Sequence, residues 1–281
     1  QVQYNWKDKL GTGSHGTIVY RYDRHHREVA VKRVLKEFLP SVDREVELLK
    51  ESDWDQNIIR YFWTETDFSF RYLVIELCEA SLYSYVGKVR TSKDILQQMT
   101  QGLSFLHSIN IGKIVLQMNS IRPLVLVHRD LKPQNVLISK RGGKYKALIS
   151  DFGFSKRVRP GRNSLSNTTS GVAGTEGWIA PEALREESTS FPMDIFSLGC
   201  IYYYVLTNGF HPYGESLHRN LNILNGVYSL DRLNSEDSVV SRHLISLTLS
   251  MIPFQRPSTT ELLIHPFFWD PEKQLNFFCE V

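Results

Sequence analysis

The first 78 residues of the chain read mainly as strands. Val29–Val31 and Tyr72–Ile75 are rich in β-branched residues and are bounded by polar or charged ones, which is typical of short strands. Between them, Val42, Val46 and Leu49 recur at a helical spacing. The pattern therefore predicts a strand-rich unit that contains at least one helix.

The rest of the chain reads as helical. In the segment Ser92–Asn110 four apolar residues fall on one helical face, and the stretch Ser241–Phe268 is also helix-rich. A small strand-rich part before a larger helical part predicts an α+β, two-lobed fold with a ligand cleft between the lobes. We expect the lobes to span residues 1–78 and 79–281.

Composition narrows the class of partner. A formal net charge of +3 over 281 residues is too small to indicate nucleic acid or a membrane surface as the main partner. The three cysteines, Cys78, Cys200 and Cys279, form no metal or redox pattern and fit a reducing compartment such as the cytosol. We expect no direct nucleic-acid binding by this chain.

Membrane contact is not expected either. The most apolar stretch, Ile114–Val127, is interrupted by polar residues and by Pro123, whereas a spanning helix needs about 20 apolar residues. The chain opens at Gln1 without Met, from which we expect it to be part of a longer protein. Any membrane anchor of that parent should lie outside this piece.

A glycine-rich loop lies between two strand candidates. Gly11, Gly13 and Gly16 form a G-x-G-x-x-G pattern, and glycines let backbone N–H groups approach phosphate oxygens closely. The same pattern also occurs as a plain hairpin turn. A dinucleotide-binding loop is disfavoured, because Ile18–Tyr20 continues as strand where that fold needs a helix.

A lysine ends the strand that follows. Lys32 closes the run Val29–Val31, and an ammonium on a half-buried strand needs an anionic partner. Glu45, on the next helix, could supply it and leave Lys32 over the α- and β-phosphates of a nucleotide. The alternative is an ordinary surface lysine.

The run His128–Asn135 carries the strongest chemical signal. Asp130 could accept the proton of an attacking hydroxyl, and Lys132 could neutralise charge on the transferred phosphate. Asn135 offers a carbonyl oxygen of the kind that Mg²⁺ prefers. His128 is interpreted as a packing residue. Asp151, in Asp-Phe-Gly after another predicted strand, is the second candidate metal ligand.

These motifs, with Ala180-Pro181-Glu182, occur in the order and spacing of eukaryotic protein kinases, which the chain resembles from about Trp6 to Trp269. The resemblance implies ATP and Mg²⁺ as cofactors. It also implies that Ala30, Glu76 and Cys78 contact the nucleotide, with Ile75 as gatekeeper. Asp194 would support the catalytic loop, which is the run His128–Asn135, and Arg256 would pair with Glu182. Lys132 resembles the serine/threonine class.

The segment between Asp151 and Glu182 is rich in basic and hydroxyl residues. Phosphates added there could pair with Arg129 and nearby cations and order the segment. The alternative is a solvated stretch that happens to be rich in Ser and Thr.

Two stretches, Gly174–Glu182 and His265–Leu275, resemble one kinase family in particular, the inositol-requiring enzymes. These are endoplasmic-reticulum stress sensors with a lumenal domain, a membrane span, a kinase and an endoribonuclease. The resemblance implies autophosphorylation at Ser164, Ser166 and Ser170, in trans and within a homodimer or higher oligomer. It places this chain on the cytosolic side of a single-pass membrane protein. The chain ends where the nuclease should begin, and we expect no nuclease activity from it.

One stretch departs from the kinase pattern. Residues 112–126 separate a predicted helix from the catalytic loop, and their apolar content makes an awkward exposed loop. They are either a lineage-specific insertion or translated intron sequence, since a Gly-Lys start is compatible with a splice-donor codon pair.

Two further functions stay open at this point. The chain could act as a nucleotide-gated dimerisation switch that controls an attached nuclease, with little phosphotransfer of its own. It could also be an inactive scaffold, although every catalytic position that the kinase pattern requires is occupied.

Overall fold

The computed structural model describes residues 6–13, 17–24, 27–52, 54–88, 92–108, 125–158, 174–187, 190–234 and 238–280. An antiparallel five-stranded sheet of order β1-β2-β3-β5-β4 occupies the first part of the chain. The strands of this sheet are β1 (Lys9–Thr12), β2 (Ile18–Arg24), β3 (Arg27–Leu35), β4 (Tyr61–Thr66) and β5 (Phe70–Glu76). Helix α1 (Leu39–Ser52) follows β3, so the predicted helix between the two strands is confirmed.

The second part is mainly helical. Its helices are α2 (Leu82–Tyr85), α3 (Ser92–Ser108), α4 (Pro181–Leu184), α5 (Pro192–Leu206), α6 (Arg219–Asn225), α7 (Ser238–Thr248), α8 (Thr259–Leu263) and α9 (Pro271–Glu280). The α+β, two-lobed fold predicted from the sequence is confirmed. No helix in the described ranges is long and apolar enough to cross a bilayer.

Short strands of the second part carry the loops that matter for chemistry. Three of them form a small sheet: β6 (Ala80–Ser81), β8 (Val136–Arg141) and β9 (Lys144–Ile149). Two others pair separately, β7 (Val125–Val127) with β10 (Lys156–Val158). Single turns of 3₁₀-helix lie at Trp6–Asp8, Lys36–Phe38, Pro133–Asn135, Phe152–Phe154, Ser216–His218, Pro253–Gln255 and Pro266–Phe268.

Alternation along β3 determines which residues face the rest of the molecule. Successive side chains of a strand point to opposite faces. Val29 and Val31 pack with Tyr72 and Val74 on one face of the sheet. Ala30 packs on the other face, in the cluster that continues through α1 into the helical lobe. Lys32, two residues further on, shares the face of Ala30.

The insertion predicted over residues 112–126 extends too far at its C-terminal end. Residues 112–124 lie outside the described residues, but Leu126 is a strand residue of β7, buried and paired with Arg157. The apolar run Val125–Val127 is therefore explained as a buried strand that leads into the catalytic loop.

A direct backbone connection joins the two lobes beside α1. Ile59 N donates to the carbonyl oxygen of Ile149 at 2.9 Å, and Ile149 N donates to Asn57 O at 2.8 Å. Ile149 ends β9 two residues before Asp151, so the start of β4 and the approach to Asp151 are held together. Gly102 of α3 permits this close approach, because a Cβ there would lie 2.9 Å from the Asn57 carbonyl oxygen.

Candidate active site

Lys32 lies between two carboxylates. Its Nζ is 2.8 and 2.9 Å from the two carboxylate oxygens of Glu45 and 2.9 Å from Oδ1 of Asp151. Glu45 reaches it because α1 packs on the face of β3 that carries Lys32. The partner predicted for the lysine is present, and the surface-lysine alternative is wrong: the side chain of Lys32 is only 13% exposed.

Burial and charge oppose each other at these three groups. Burial disfavours the Lys32 ammonium, but Asp151 and Glu45 outweigh it and raise the pKa of Lys32. Lys32 in turn lowers the pKa of Asp151 to about 2, against the effect of burial. At Glu45 burial is the largest influence and raises the pKa in spite of Lys32. The lysine and Asp151 are thus held ionised, whereas the buried position of Glu45 is electrostatically costly.

Asp130 is fixed by donors on both carboxylate oxygens. Oδ2 accepts from Lys132 Nζ at 2.8 Å and from Asn135 Nδ2 at 3.0 Å, and Oδ1 accepts from the Thr175 hydroxyl at 2.6 Å. Asn135 Nδ2 also donates to the Asp130 carbonyl oxygen at 2.8 Å. The carboxylate is buried. These contacts orient Asp130 with little freedom, as a proton acceptor in a positioned site requires.

Thr175 belongs to this group, although it was not among the site residues predicted from the sequence. Its hydroxyl donates to Asp130 and accepts from Lys132 Nζ at 2.5 Å. The contact joins residues 45 positions apart, which no local spacing could indicate. The sequence did offer one indication of a role for Thr175. The residue lies in the stretch Gly174–Glu182, which resembles the inositol-requiring enzymes.

Asp194 at the start of α5 holds the catalytic loop from below. Its Oδ2 accepts from the backbone N–H of His128 at 2.8 Å, and its Oδ1 accepts from that of Arg129 at 2.9 Å. Burial opposes ionisation of Asp194, but hydrogen bonding and charge from His107 and His128 overcome it and lower its pKa. The contact holds Arg129 at φ 70°, a left-handed conformation that is costly for a residue with a Cβ.

Asp151 carries the same kind of strain, with φ 64°. The residues after it are fixed by contacts to both lobes. The ring of Phe152 is buried and packs edge-on against His128, with 5.3 Å between centroids, and the carbonyl oxygen of Gly153 accepts from Ser41 Oγ of α1 at 3.0 Å. His128 therefore packs as expected from the sequence. Strained backbone that is held by its surroundings is typical of functional sites.

The residues present fit a divalent metal ion bound together with phosphates. Asn135 uses its amide nitrogen on Asp130, which leaves the carbonyl oxygen Oδ1 as its ligand atom, and the lowered pKa of Asp151 keeps that carboxylate ionised. Both are hard oxygen ligands of the kind Mg²⁺ takes. The described part of the chain has no cluster of three His, Cys, Asp or Glu side chains suited to a metal.

The nucleotide contacts predicted from the sequence are placed only in part. Gly11 and Gly13 lie where β1 ends, and a Cβ at Gly11 would meet nothing within 4 Å, which leaves backbone open to a ligand. Ala30 is buried on the face of Lys32, Glu76 ends β5, and Cys78 is half-buried two residues later. Their roles towards a nucleotide stay predictions. Gly16 lies outside the described residues.

The predicted phosphorylation sites Ser164, Ser166 and Ser170 also lie outside the described residues. At the far end of the same segment, the predicted contact of Arg256 with Glu182 is confirmed. The guanidinium meets the carboxylate through two hydrogen bonds of 2.7 and 2.8 Å, and both side chains are buried.

Comparison with known proteins agrees with this geometry. A family model described as the protein kinase domain matches residues 4–268, so the chain belongs to the protein kinase family. Relatives of the chain are named serine/threonine-protein kinases, and the serine/threonine kinase function expected from Lys132 is confirmed.

Several relatives are named for two activities. The whole chain is 49% identical to the serine/threonine-protein kinase/endoribonuclease ire-1 of Caenorhabditis elegans and 45% identical to the serine/threonine-protein kinase/endoribonuclease IRE2 of Homo sapiens. Over 98% of its length it is 40% identical to the sensor for unfolded proteins in the ER ire1 of Schizosaccharomyces pombe. The resemblance to the inositol-requiring enzymes is thereby confirmed. The chain spans 28–30% of the length of these three relatives.

Proposed function

We propose that this chain phosphorylates serine residues of a second copy of itself, with Mg²⁺ and ATP. The serines lie in the segment between Asp151 and Glu182, called the activation segment below. The observation that carries the proposal is a group of cations at the base of that segment. Burial lowers the pKa of Arg129, Asp194 offsets part of this effect, and Arg44 lowers the pKa further. The pKa of Lys156 is lowered by burial and by Arg129. Like charges gathered in this way are stabilised by an anion.

A phosphorylated residue of the segment is the anion that this group fits. The Arg129 Nε is buried and has no hydrogen-bond acceptor among the described residues. A phosphoserine brings close to two negative charges and three acceptor oxygens, which suit a guanidinium in particular. Since Arg129 directly precedes Asp130, such a contact would order the catalytic loop and the segment together. Ser164, Ser166 and Ser170 are the residues proposed to accept the phosphate and then to present it to Arg129.

The chemistry follows from the positions already described. Asp130 orients the attacking serine hydroxyl and accepts its proton, and Lys132 lies against Asp130 where negative charge moves to the transferred group. Lys32, held by Glu45, positions the α- and β-phosphates. Mg²⁺, bound by Asn135 and Asp151, would neutralise charge on the phosphates. Arrangement of the reactants supplies most of the catalysis.

The parent protein is proposed to be a sensor of the unfolded-protein response in the endoplasmic-reticulum membrane, with this domain in the cytosol. The printed names of the relatives support this, since they join a kinase to an endoribonuclease or to a sensor for unfolded proteins in the ER. In that setting the active form would be a homodimer or higher oligomer. Direct contact of this domain with nucleic acid or lipid is not part of the proposal.

The test is the intact mass of the purified chain before and after incubation with Mg²⁺ and ATP. We expect mass to rise in steps of one phosphate, and the Asp151→Ala variant to gain none. Mixing wild type with Asp130→Asn should put phosphate on the variant, at an initial rate that grows with protein concentration. Replacing all three predicted serines with alanine should remove most of the gain.

Two results would overturn the proposal. A wild-type chain that is folded and binds ATP but gains no mass would favour the nucleotide-gated switch instead. Phosphate that appears on wild type and never on Asp130→Asn in the mixture would show that transfer occurs in cis.

A further inference from the structure

Helix α1 is attached at both ends to the segment that begins with Asp151. Near the N-terminal end of the helix, Ser41 Oγ donates to the carbonyl oxygen of Gly153. Near the C-terminal end of the helix, both carboxylate oxygens of Glu51 accept from Arg157 Nη2, each at 2.7 Å. Glu45 lies between these contacts, so the segment defines the position of its carboxylate from both sides.

The backbone of Arg157 is itself fixed to the catalytic loop. It is the central residue of β10 and pairs with Leu126 of β7, the strand that runs into His128 and Asp130. Val158 is buried, whereas Arg157 is exposed on the opposite face, as strand alternation requires. A continuous set of contacts therefore leads from the catalytic loop through β10 and Arg157 to α1.

The position of α1 that brings Glu45 to Lys32 needs such support. Glu45 is only 4% exposed, and a buried ion pair repays the cost of dehydration only when its geometry is held well. Burial raises the pKa of Glu45 even with Lys32 beside it. The Arg157–Glu51 contact therefore helps to hold α1 where the Lys32–Glu45 pair forms.

We propose that Arg157 and Glu51 are positioning residues for phosphoryl transfer, whose ion pair couples the start of the activation segment to Glu45 and through it to Lys32. Neither residue contacts the nucleotide in this scheme. The inference rests on the phosphotransfer proposed above. Through this pair, a change at the start of the segment reaches the phosphate-positioning lysine on the opposite lobe.

The test reverses the two charges singly and together. Arg157→Glu and Glu51→Arg each replace an attraction by a repulsion across about the same distance. The two side chains are each 34% exposed, and an exposed pair of this kind shifts an equilibrium by up to about fivefold, with like charges acting in the opposite direction. We expect each single variant to lower the initial autophosphorylation rate about fivefold. The double variant restores the pair and should recover to within about twofold of wild type.

Amide hydrogen exchange in residues 39–52 gives a readout that does not depend on catalysis. Exchange there should rise in each single variant and return in the double variant, while the thermal midpoints stay within about 2 °C of one another. Arg21→Glu is the matched control: it reverses an exposed pair of 3.3 Å with Glu28, away from α1, and should change neither rate nor exchange in α1.

The inference is overturned if the single variants match wild type in both readouts, or if the double variant is as slow as the two singles combined. Failure of the phosphotransfer proposal looks different. In that case wild type gains no phosphate, and the hydrogen exchange of α1 in the four proteins still decides whether Arg157 and Glu51 hold the helix.

Discussion

The buried ion pair between Arg256 and Glu182 gives the sharpest prediction about stability. Arg256 Nη1 and Nη2 contact the two oxygens of Glu182, Nη1 also donates to the Pro192 carbonyl oxygen at 2.9 Å, and Nε donates to Ser250 O at 2.8 Å. The side chains are 0% and 3% exposed. The pair thus joins the end of the activation segment to the starts of α5 and α8.

Replacing Arg256 with Met keeps an unbranched apolar stem but leaves the Glu182 carboxylate buried without a counter-charge. Breaking one partner of a buried pair costs about 3–5 kcal/mol. At about 2.1 cal/mol/K per residue, 281 residues unfold with an entropy of about 0.6 kcal/mol/K, so the midpoint should fall by about 5–8 °C. Thermal unfolding followed by circular dichroism measures this shift.

The double variant Arg256→Met/Glu182→Leu separates loss of a favourable pair from exposure of an unpaired charge. Because replacing both ions by apolar side chains can be nearly neutral, the double variant should recover at least half of the lost midpoint. Arg21→Ala, which breaks only an exposed pair, is the control and should move the midpoint by less than about 1 °C. A shift below about 2 °C for Arg256→Met, or a double variant no better than the single, would refute the reasoning.

Two further predictions concern rate and pH. Thr175→Ala removes the hydroxyl shared by Asp130 and Lys132 and should slow autophosphorylation about 10- to 100-fold. Thr175→Ser keeps the hydroxyl and should retain most of the rate. Equal rates for Thr175→Ala and wild type in a mass-based assay would contradict this. Burial lowers the pKa of His211 from 6.5 to about 3, so between pH 6 and 4 the unfolded chain binds a proton that the folded chain excludes. The free energy of unfolding should therefore decrease as the pH is lowered. Urea unfolding should show that His211→Gln loses about 1.4 kcal/mol less per pH unit than wild type does. Parallel pH profiles for the two proteins would be evidence against this assignment.

Much of the site was predictable because its chemistry is carried by short motifs. Lys32 lies within the β-branched strand β3, and the period of two that places Ala30 towards the cleft also places Lys32 there. The contact with Glu45 followed from a helical spacing directly after that strand. Spacing also led to Asp130, Asn135 and Asp151, although their roles towards ATP and metal remain predictions.

Other features depended on distant parts of the chain. Val125 and Leu126 were assigned to an insertion, because an apolar run beside a loop looks like unsupported surface until its partner strand is known. That partner is β10, some 30 residues later. Ser41 gave no signal either, since a serine at the start of a helix is usually interpreted as a local capping group.

The sequence by itself determined the two-lobed kinase fold and the residues able to handle phosphate, because periodicity and motif spacing are local properties. Only the tertiary structure decided how those residues are held. Thr175 on Asp130, Arg157 on Glu51 and Ser41 on Gly153 join positions 45 to 112 residues apart. Such contacts form when sheet, helix and loop pack around one core, and their geometry follows from that packing rather than from any local pattern.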